Sequence, residues 1–520
     1  MTNSPHKSTT DMDSNMFRRS QLEADLDKGT GVYIETDKQT NDALEYLTPE
    51  QEALLGRAMR KVDLRLVPIL GGLYVFSLVD RNNFGGARVA GLDEATDLEV
   101  SNRSSIAILV FYVGYVIWML PSNLALQRVG PANWLSALCV TWGIVTLCVG
   151  FVRDWRVLSV LRVVLGCVEA VRAVNEHGRQ RAVRLSEEVC RQYARSDGTV
   201  IPWANSGDLR RAAGYYLIGQ MISSFGNILA YGLTQIAHNP ERDGWKWIFI
   251  VEGALTIGFG VLAWFVIPDM PYNVEKNKWL STEEKDVVKQ SLLKDRGDFE
   301  ESKVTWKVIK SILKRPHMWA FAILALAGAA GSYSFLLFLP IIFRKSLGYS
   351  MQLSLILTAP PAAFATMYAF GLSWASDKIR LRGYFVLGHC TITIVGLCMI
   401  AFPSSGPTRF AGSFLGQAGC SAMLISANAW GMNNIRTDAE RNVYSAWVTG
   451  ISAIGGIYSA LVFRQQDSPR YVPGVVAVGA MVLFTLILVA LTIIWMRWMN
   501  RKADQGKLLI EGSRTFRYII

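Results

Sequence analysis

Two pairs of opposite charges stand inside long apolar stretches of the sequence. Asp80 and Arg81 follow the apolar run 66–79, and Arg162 and Glu169 lie seven residues apart in Trp155–Val171. Seven residues are about two helical turns, so on a helix Arg162 and Glu169 share a face. In a low-dielectric interior such groups must line a cavity or pair with one another. Two kinds of chemistry are then available. Asp80 and Glu169 are titratable and could carry a proton, with Glu252 a third candidate at the outer end of the sixth apolar stretch. Arg81 and Arg162 carry planar forks that suit a carboxylate, donating two parallel hydrogen bonds. Asn83 could donate to a substrate, and Tyr333 could stack on a ring. Each has a plainer reading: Arg162–Glu169 as a structural ion pair, Asp80–Arg81 as an external gate, Asn83 as an interhelical hydrogen bond and Tyr333 as packing.

The elements that must position these residues are blocks of about 20 apolar residues, the length of a helix crossing a bilayer. Twelve are predicted: Leu64–Gly86, Ser104–Gln127, Ala132–Val152, Trp155–Val171, Ala212–Ile236, Trp245–Ile267, Met318–Phe343, Met351–Trp374, Gly383–Phe402, Phe410–Gly431, Val443–Phe463 and Val472–Trp498. The fold class is therefore an all-α membrane protein with twelve transmembrane helices in two six-helix halves. Residues 57–267 and 318–498 form the halves, joined by a central loop, 268–317, with eleven Lys or Arg. A disordered tail is expected over 1–56 and a second tail over 499–520. Residues 171–208 form an atypical polar insertion that leaves the fourth span truncated or interrupted.

Composition agrees with this reading. The 520 residues are 51% hydrophobic and only 18% charged, yet 53 Lys and Arg exceed 42 Asp and Glu, giving +11. With the N-terminus inside, basic residues favour the inner segments by roughly three to one, so both termini are expected in the cytoplasm. The basic residues flank spans and form no continuous stripe, which argues against nucleic-acid binding. The seven Cys include no CxxC pair, and no disulfide framework is expected. There is no metal-ligand spacing, no Ser-His constellation and no phosphate-cradling loop, so neither an enzyme nor a cofactor is expected.

Six helices, a charged loop and six helices is the pattern of transporters built from repeats, with the substrate near the midplane. After the eighth span the chain reads GLSWASDKIRLR over Gly371–Arg382. This resembles the G-x-x-x-D-R/K-x-R/K loop of the major facilitator superfamily, carried here by Gly371, Asp377, Lys378 and Arg380. After the second span, Arg128 and Gly130 keep part of the pattern without its acid. The resemblance implies a gating latch in which the glycine lets two helices approach closely; the plainer reading is a charged turn that enforces topology. Arg162, Gly166 and Ala170 resemble the superfamily's helix-4 motif.

A narrower resemblance runs along the chain. LVDRNNFGGARVAGL over Leu78–Leu92 is similar to the L-D-R-x-N-I-G-N-A-x-x-A-G-L segment of the fungal allantoate permease family, which includes high-affinity nicotinate permeases and belongs to the anion:cation symporters. Further matches are Pro121–Asn123, Tyr215–Gly219, Trp245–Gly253, Phe463–Gly474 and Phe516–Tyr518. The resemblance implies proton-coupled import of a small organic anion such as nicotinate, allantoate or pantothenate, by alternating access. It further suggests a monomer in the lipid bilayer of the plasma membrane. Asp80, Glu169 and Glu252 would then move protons, and Arg81 or Arg162 would hold the substrate carboxylate.

The likeness fails between Val171 and about Gly207, where a polar run replaces the expected apolar end of the fourth span. It is either a genuine cytoplasmic insertion or a mis-spliced segment, which would leave transport impaired. Exporting an acidic metabolite is the rival function on the same fold, since fold fixes neither direction nor substrate. A non-transporting sensor is disfavoured because the tails are too short for a signalling domain.

Overall fold

The computed structural model describes residues 49–129, 131–169, 219, 221–266, 280–287, 306–379, 381–511 and 516–520. The chain divides into two compact units: Met1–Lys61 with Pro271–Glu300, and Val62–Met270 with Glu301–Ile520. In the first, Ser281 and Glu284 cap the short helix over 282–287 reciprocally: Glu284 Oε2 accepts the Ser281 N–H at 3.0 Å and Ser281 Oγ accepts the Glu284 N–H at 3.2 Å. Lys61 Nζ donates to Glu284 Oε1 at 2.6 Å, and this ammonium with the Ser281 N–H holds the carboxyl below its ordinary range.

The second unit carries the bundle. A helix stands at each of the twelve predicted spans: α1 Pro49–Ala87, α2 Arg103–Val129, α3 Pro131–Val149, α4 Trp155–Glu169, α5 Gly226–Thr234, α6 Pro240–Val266, α7 Pro316–Ile341, α8 Ala359–Ile379, α9 Arg382–Ala401, α10 Gly406–Asn433, α11 Asp438–Val462 and α12 Val472–Asp504. Among the described residues, seven helical stretches are long and apolar enough to cross a membrane by themselves: α6, α7 with its extension to Ser346, Met351–Ser376, α9, α10, Val443–Val462 and α12. Their boundaries have local causes. Pro316, Pro407 and Pro473 sit in first turns, where the missing N–H costs nothing. Thr437 caps α11 by accepting the Glu440 N–H.

Within the first half, α2 packs on α4 and α3 on α6; within the second, α9 packs on α10 and α7 on both α10 and α11. Helix α11 crosses to α2 of the other half. Close backbone approach is the ordinary way helices associate in lipid. Gly166 shows it most clearly: a Cβ there would lie 2.0 Å from the Phe111 carbonyl oxygen of α2.

Several boundaries differ from those expected. Helix α1 begins at Pro49 and runs on as a π-helical turn, Arg88–Leu92, so Asp80 is well inside the span. Gly91 inside that turn adopts φ 103°, with the Glu241 and Arg242 carbonyls packed where a side chain would be. Helix α6 starts at Pro240, which moves Glu252 from the expected outer end to the middle of the span. The eighth span is broken at Leu357–Thr358, where Met351–Ile356 ends before α8 begins. The central loop contains a helix, Trp306–Lys314, and the C-terminal segment is docked: Asn434 accepts the Ile519 N–H at 2.8 Å, and Asn500 accepts the Tyr518 N–H at 2.9 Å. The polar stretch 171–208 lies outside the described residues. The six described cysteines form no disulfide.

Candidate functional site

A small cavity of about 20 Å³ opens between α1, α2 and α4, with Leu337 of α7 on its far wall. Asp80, Arg81, Arg162 and Glu169 all line it, together with Phe84, Phe111 and Tyr112. The two charged pairs singled out in the sequence therefore meet in one place, lined by aromatic rings.

Arg81 and Glu169 are partners. Arg81 Nε donates to Glu169 Oε1 at 2.5 Å, and Ser77 Oγ donates to the same oxygen at 2.6 Å. The Arg81 guanidinium lies 5.2 Å from the Tyr115 ring centroid. Its Nη1 reaches Tyr333 Oη of α7 at 3.4 Å, so the cluster spans both halves. Tyr333 packs at 5.0 Å on the Tyr112 ring. Phe335, two residues on, points elsewhere and lines a separate apolar cavity with Leu339 and Val475.

Arg162 is arranged differently. Its expected partnership with Glu169 is not the one formed, because Arg81 occupies that carboxylate. The guanidinium instead lies 3.5 Å from the Phe84 ring centroid and 5.7 Å from that of Phe111. It is 7% exposed, and its Nη2 has no hydrogen-bond partner among the described residues. Ring faces attract a cation but supply no directed acceptor. A fork left with a free N–H at a cavity wall is ready for a planar anion.

The third cluster links α1, α3 and α6. Thr146 Oγ1 of α3 donates to Asp80 Oδ2 at 3.2 Å. Asn83 Nδ2 donates to Glu252 Oε1 of α6, so Asn83 serves the carboxylate behind the cavity and not the cavity itself.

Sequence reasoning missed the aromatic lining. Phe111, Tyr112 and Tyr115 fall at one-, three- and four-residue spacing on α2, a signal present in the sequence but shared with ordinary packing. Phe84 and Ser77 follow the same α1 face as Asp80 and Arg81 at three- and four-residue steps.

The loop candidates fare unevenly. Among the described residues, a Cβ at Gly371 would meet nothing within 4 Å. Lys378 is exposed, with its ammonium 5.4 Å from the Trp374 ring. Gly130, Arg380 and the side chains of Arg128 and Asp377 lie outside what is described. Further polar contacts that bridge the halves lie at the opposite end of the bundle. Arg88 Nη2 donates to Gln465 Oε1 at 3.3 Å, Arg344 Nη2 reaches Glu241 at 3.4 Å, and Lys345 pairs with Glu99. Arg88 is itself held by a two-bond pair to buried Asp93, at 2.7 and 3.1 Å.

Comparison with known proteins agrees with this architecture. The chain is 28% identical over 515 residues to the major facilitator-type transporter hxnP of Emericella nidulans, covering 94% of this chain and 95% of the relative. It is 28% identical to the MFS-type transporter efuF of Hormonema carpetanum, covering 88% and 87%. It is 26% identical to the high-affinity nicotinic acid transporter of Saccharomyces cerevisiae, covering 88% and 80%. Among solved structures, a bacterial homologue of the human lysosomal transporter Spinster superposes with a TM-score of 0.58 at 16% identity, over 86% of this chain and 96% of that one. The nucleoside transporter NupG gives 0.54 at 11%, over 82% and 98%. The family model of the Major Facilitator Superfamily matches residues 199–460. Twelve helices in two halves, a charged cavity on the first-half helices and this match over half of the sequence lead to one conclusion: the chain belongs to the Major Facilitator Superfamily, as a multi-pass membrane transporter.

Proposed function

We propose that the protein imports a small organic anion together with protons by alternating access, from the plasma membrane, as a monomer with both termini in the cytoplasm. One observation carries this reading: a buried guanidinium, Arg162, whose Nη2 has no hydrogen-bond partner among the described residues, on the wall of a cavity that also holds a titratable carboxyl. The Arg162 fork supplies the anion site, and Asp80 is the cavity-lining carboxyl available to a proton, because Glu169 is paired with Arg81. The aromatic lining of Phe84, Phe111 and Tyr112 suits a flat substrate, and similarity to a nicotinic acid transporter points to the same class. Import of an anion against an inside-negative potential needs a co-transported cation, because one charge across 100 mV costs about 2.3 kcal/mol. With the termini inside, the cross-half contacts of Arg88, Arg344 and Lys345 form the outer closure.

The test is uptake of labelled nicotinate, allantoate and pantothenate by cells expressing the full chain, across external pH. Uptake of at least one acid should rise as external pH falls. Asp80→Asn should lose that dependence. Efflux without uptake would favour the exporting alternative, and unchanged proton coupling in Asp80→Asn would remove that carboxyl from the pathway.

A further inference from the structure

Three cations at one end of the second half rest on aromatic rings. The Lys378 ammonium lies 5.4 Å from the Trp374 ring centroid near the end of α8. The Arg497 guanidinium of α12 lies 5.2 Å from the ring centroid of Tyr384 on α9, and the Lys502 ammonium lies 3.6 Å from that of Trp498 on α12. The three pairs adjoin: α8 stops at Ile379, α9 starts at Arg382, and α12 packs on α9 with Arg497 over Tyr384. Trp374 is 61% exposed, Trp498 50% and Tyr384 37%. Large exposed rings at the ends of apolar helices belong at the level of lipid headgroups.

These cations are not balanced within the chain. Among the described residues none of the three has a carboxylate partner. The acid on the same stretch of α12, Asp504, is paired with Arg517 at 2.6 Å. A ring face attracts a cation but supplies no directed acceptor, so the N–H donors remain available to an outside anion. Long basic side chains lay their stems on apolar surface and hold the charge at its polar edge. Exposed rings with unbalanced cations beside them fit a ligand that has an apolar body and an anionic phosphate head.

We propose that the adjoining ends of α8, α9 and α12 form a binding surface for anionic phospholipid, with Lys378, Arg497 and Lys502 on the headgroup and Trp374, Tyr384 and Trp498 against the apolar part. A soluble anion would meet the same charges and leave the rings bare, whereas a lipid covers both. The surface needs neither the proposed substrate nor proton coupling. With the termini inside, it faces the inner leaflet; it stands at the same end as the C-terminus whichever way the chain is inserted, because α12 ends there.

Tryptophan quenching tests the surface. The purified full chain is reconstituted in phosphatidylcholine vesicles holding rising fractions of dibrominated phosphatidylserine or dibrominated phosphatidylcholine, whose bromines quench the indoles they touch. Each basic residue at an anionic surface adds about fivefold in binding, so phosphatidylserine should reach half of its full effect at a mole fraction lower by about fivefold or more. The triple variant Lys378→Gln, Arg497→Gln, Lys502→Gln should lose that preference. The charge-preserving triple Lys378→Arg, Arg497→Lys, Lys502→Arg should keep it, as should Lys345→Gln, which removes one charge at the other end of the bundle. Equal quenching of the wild type by the two lipids overturns the proposal, as does a preference that survives the glutamine variant or is lost in the charge-preserving one. Displacement of phosphatidylserine by millimolar inorganic phosphate at constant ionic strength would mark a soluble-anion site and overturns it too. Protease access to the C-terminal segment in intact cells reads the leaflet separately, so a reversed orientation would correct the topology and leave the quenching result standing.

Discussion

Arg162 offers the sharpest test of the anion site. The perturbation is Arg162→Gln, which keeps hydrogen-bonding capacity and removes the charge, beside Arg162→Lys, which keeps the charge and removes the fork. The structure sets the size of the effect. Among the described residues the Nη2 N–H has no acceptor, so a bound carboxylate gains a charged hydrogen bond without breaking one of theirs at that atom. Such a bond is worth about 1.5–3 kcal/mol. At about 1.4 kcal/mol per tenfold, the apparent KM of Arg162→Gln should rise about 10- to 150-fold. Lysine keeps a point charge but gives up the planar contact with Phe84 at 3.5 Å, and should fall between. The assay is initial-rate uptake of the acid that the panel identifies, with its neutral carboxamide as competitor. Wild type should prefer the acid, and Arg162→Gln should lose that preference. Equal loss of acid and amide binding would mean that the substitution collapsed the cavity. An unchanged KM for the acid would mean that Arg162 does not hold the substrate. Either result refutes the assignment.

Three further outcomes follow from the geometry. Gly166→Ala puts a Cβ 2.0 Å from the Phe111 carbonyl, an overpacking that costs about 1–3 kcal/mol or more, and should lower the thermal unfolding midpoint of the detergent-purified protein; an unchanged midpoint would mean that α2 and α4 separate freely. Lys345→Glu should weaken the outer closure and change the apparent KM by up to about fivefold, as expected of a partly exposed pair worth up to about 1 kcal/mol, and the swap with Glu99→Lys should restore it; failure of the swap would deny the pairing. Asn434→Ala removes both side-chain contacts to the Ile519 backbone and should speed proteolytic trimming of the C-terminal segment, a change that gel analysis would show or exclude.

The fold was legible in the sequence because spans announce themselves by length and apolar content. What composition could not place were ends and breaks, which are set by contacts. Pro240 starts α6 five residues ahead of its apolar run, because the polar first turn of a helix needs no lipid, and that shift alone moved Glu252 to mid-span. The site was half legible. Four charged residues stood out because charge in lipid is costly, but their pairing did not. The seven-residue spacing of Arg162 and Glu169 suggested a bond, and Arg81 from another helix took it. Pairings between helices depend on rotation about each axis, which one sequence does not encode locally. The aromatic wall was missed because Phe and Tyr are equally ordinary in cores. A glycine's role depends on what stands opposite, and for Gly371 no described atom lies within 4 Å of where a side chain would begin.

The charges of the site can now be counted, and the count predicts a stoichiometry. Arg81 and Glu169 cancel as an ion pair. Arg162 contributes +1. If one of the two buried acids, Asp80 and Glu252, is protonated, they contribute −1 together, and the site is neutral before substrate binds. A bound monocarboxylate brings the sum to −1, and a second proton on the acid pair returns it to zero. Both the loaded and the empty forms then reorient without net charge, which avoids the cost of about 2.3 kcal/mol per charge per 100 mV. One proton per monoanion is therefore expected, with transport driven by the pH gradient and indifferent to membrane potential. Proteoliposomes holding an internal pH dye measure the proton influx against labelled substrate, and a potassium–valinomycin potential imposed at constant pH measures the voltage response. A ratio near one with no voltage response supports the count. Uptake that accelerates with an inside-negative potential would require a second proton, and so a second titrating group, with Glu169 no longer fixed to Arg81.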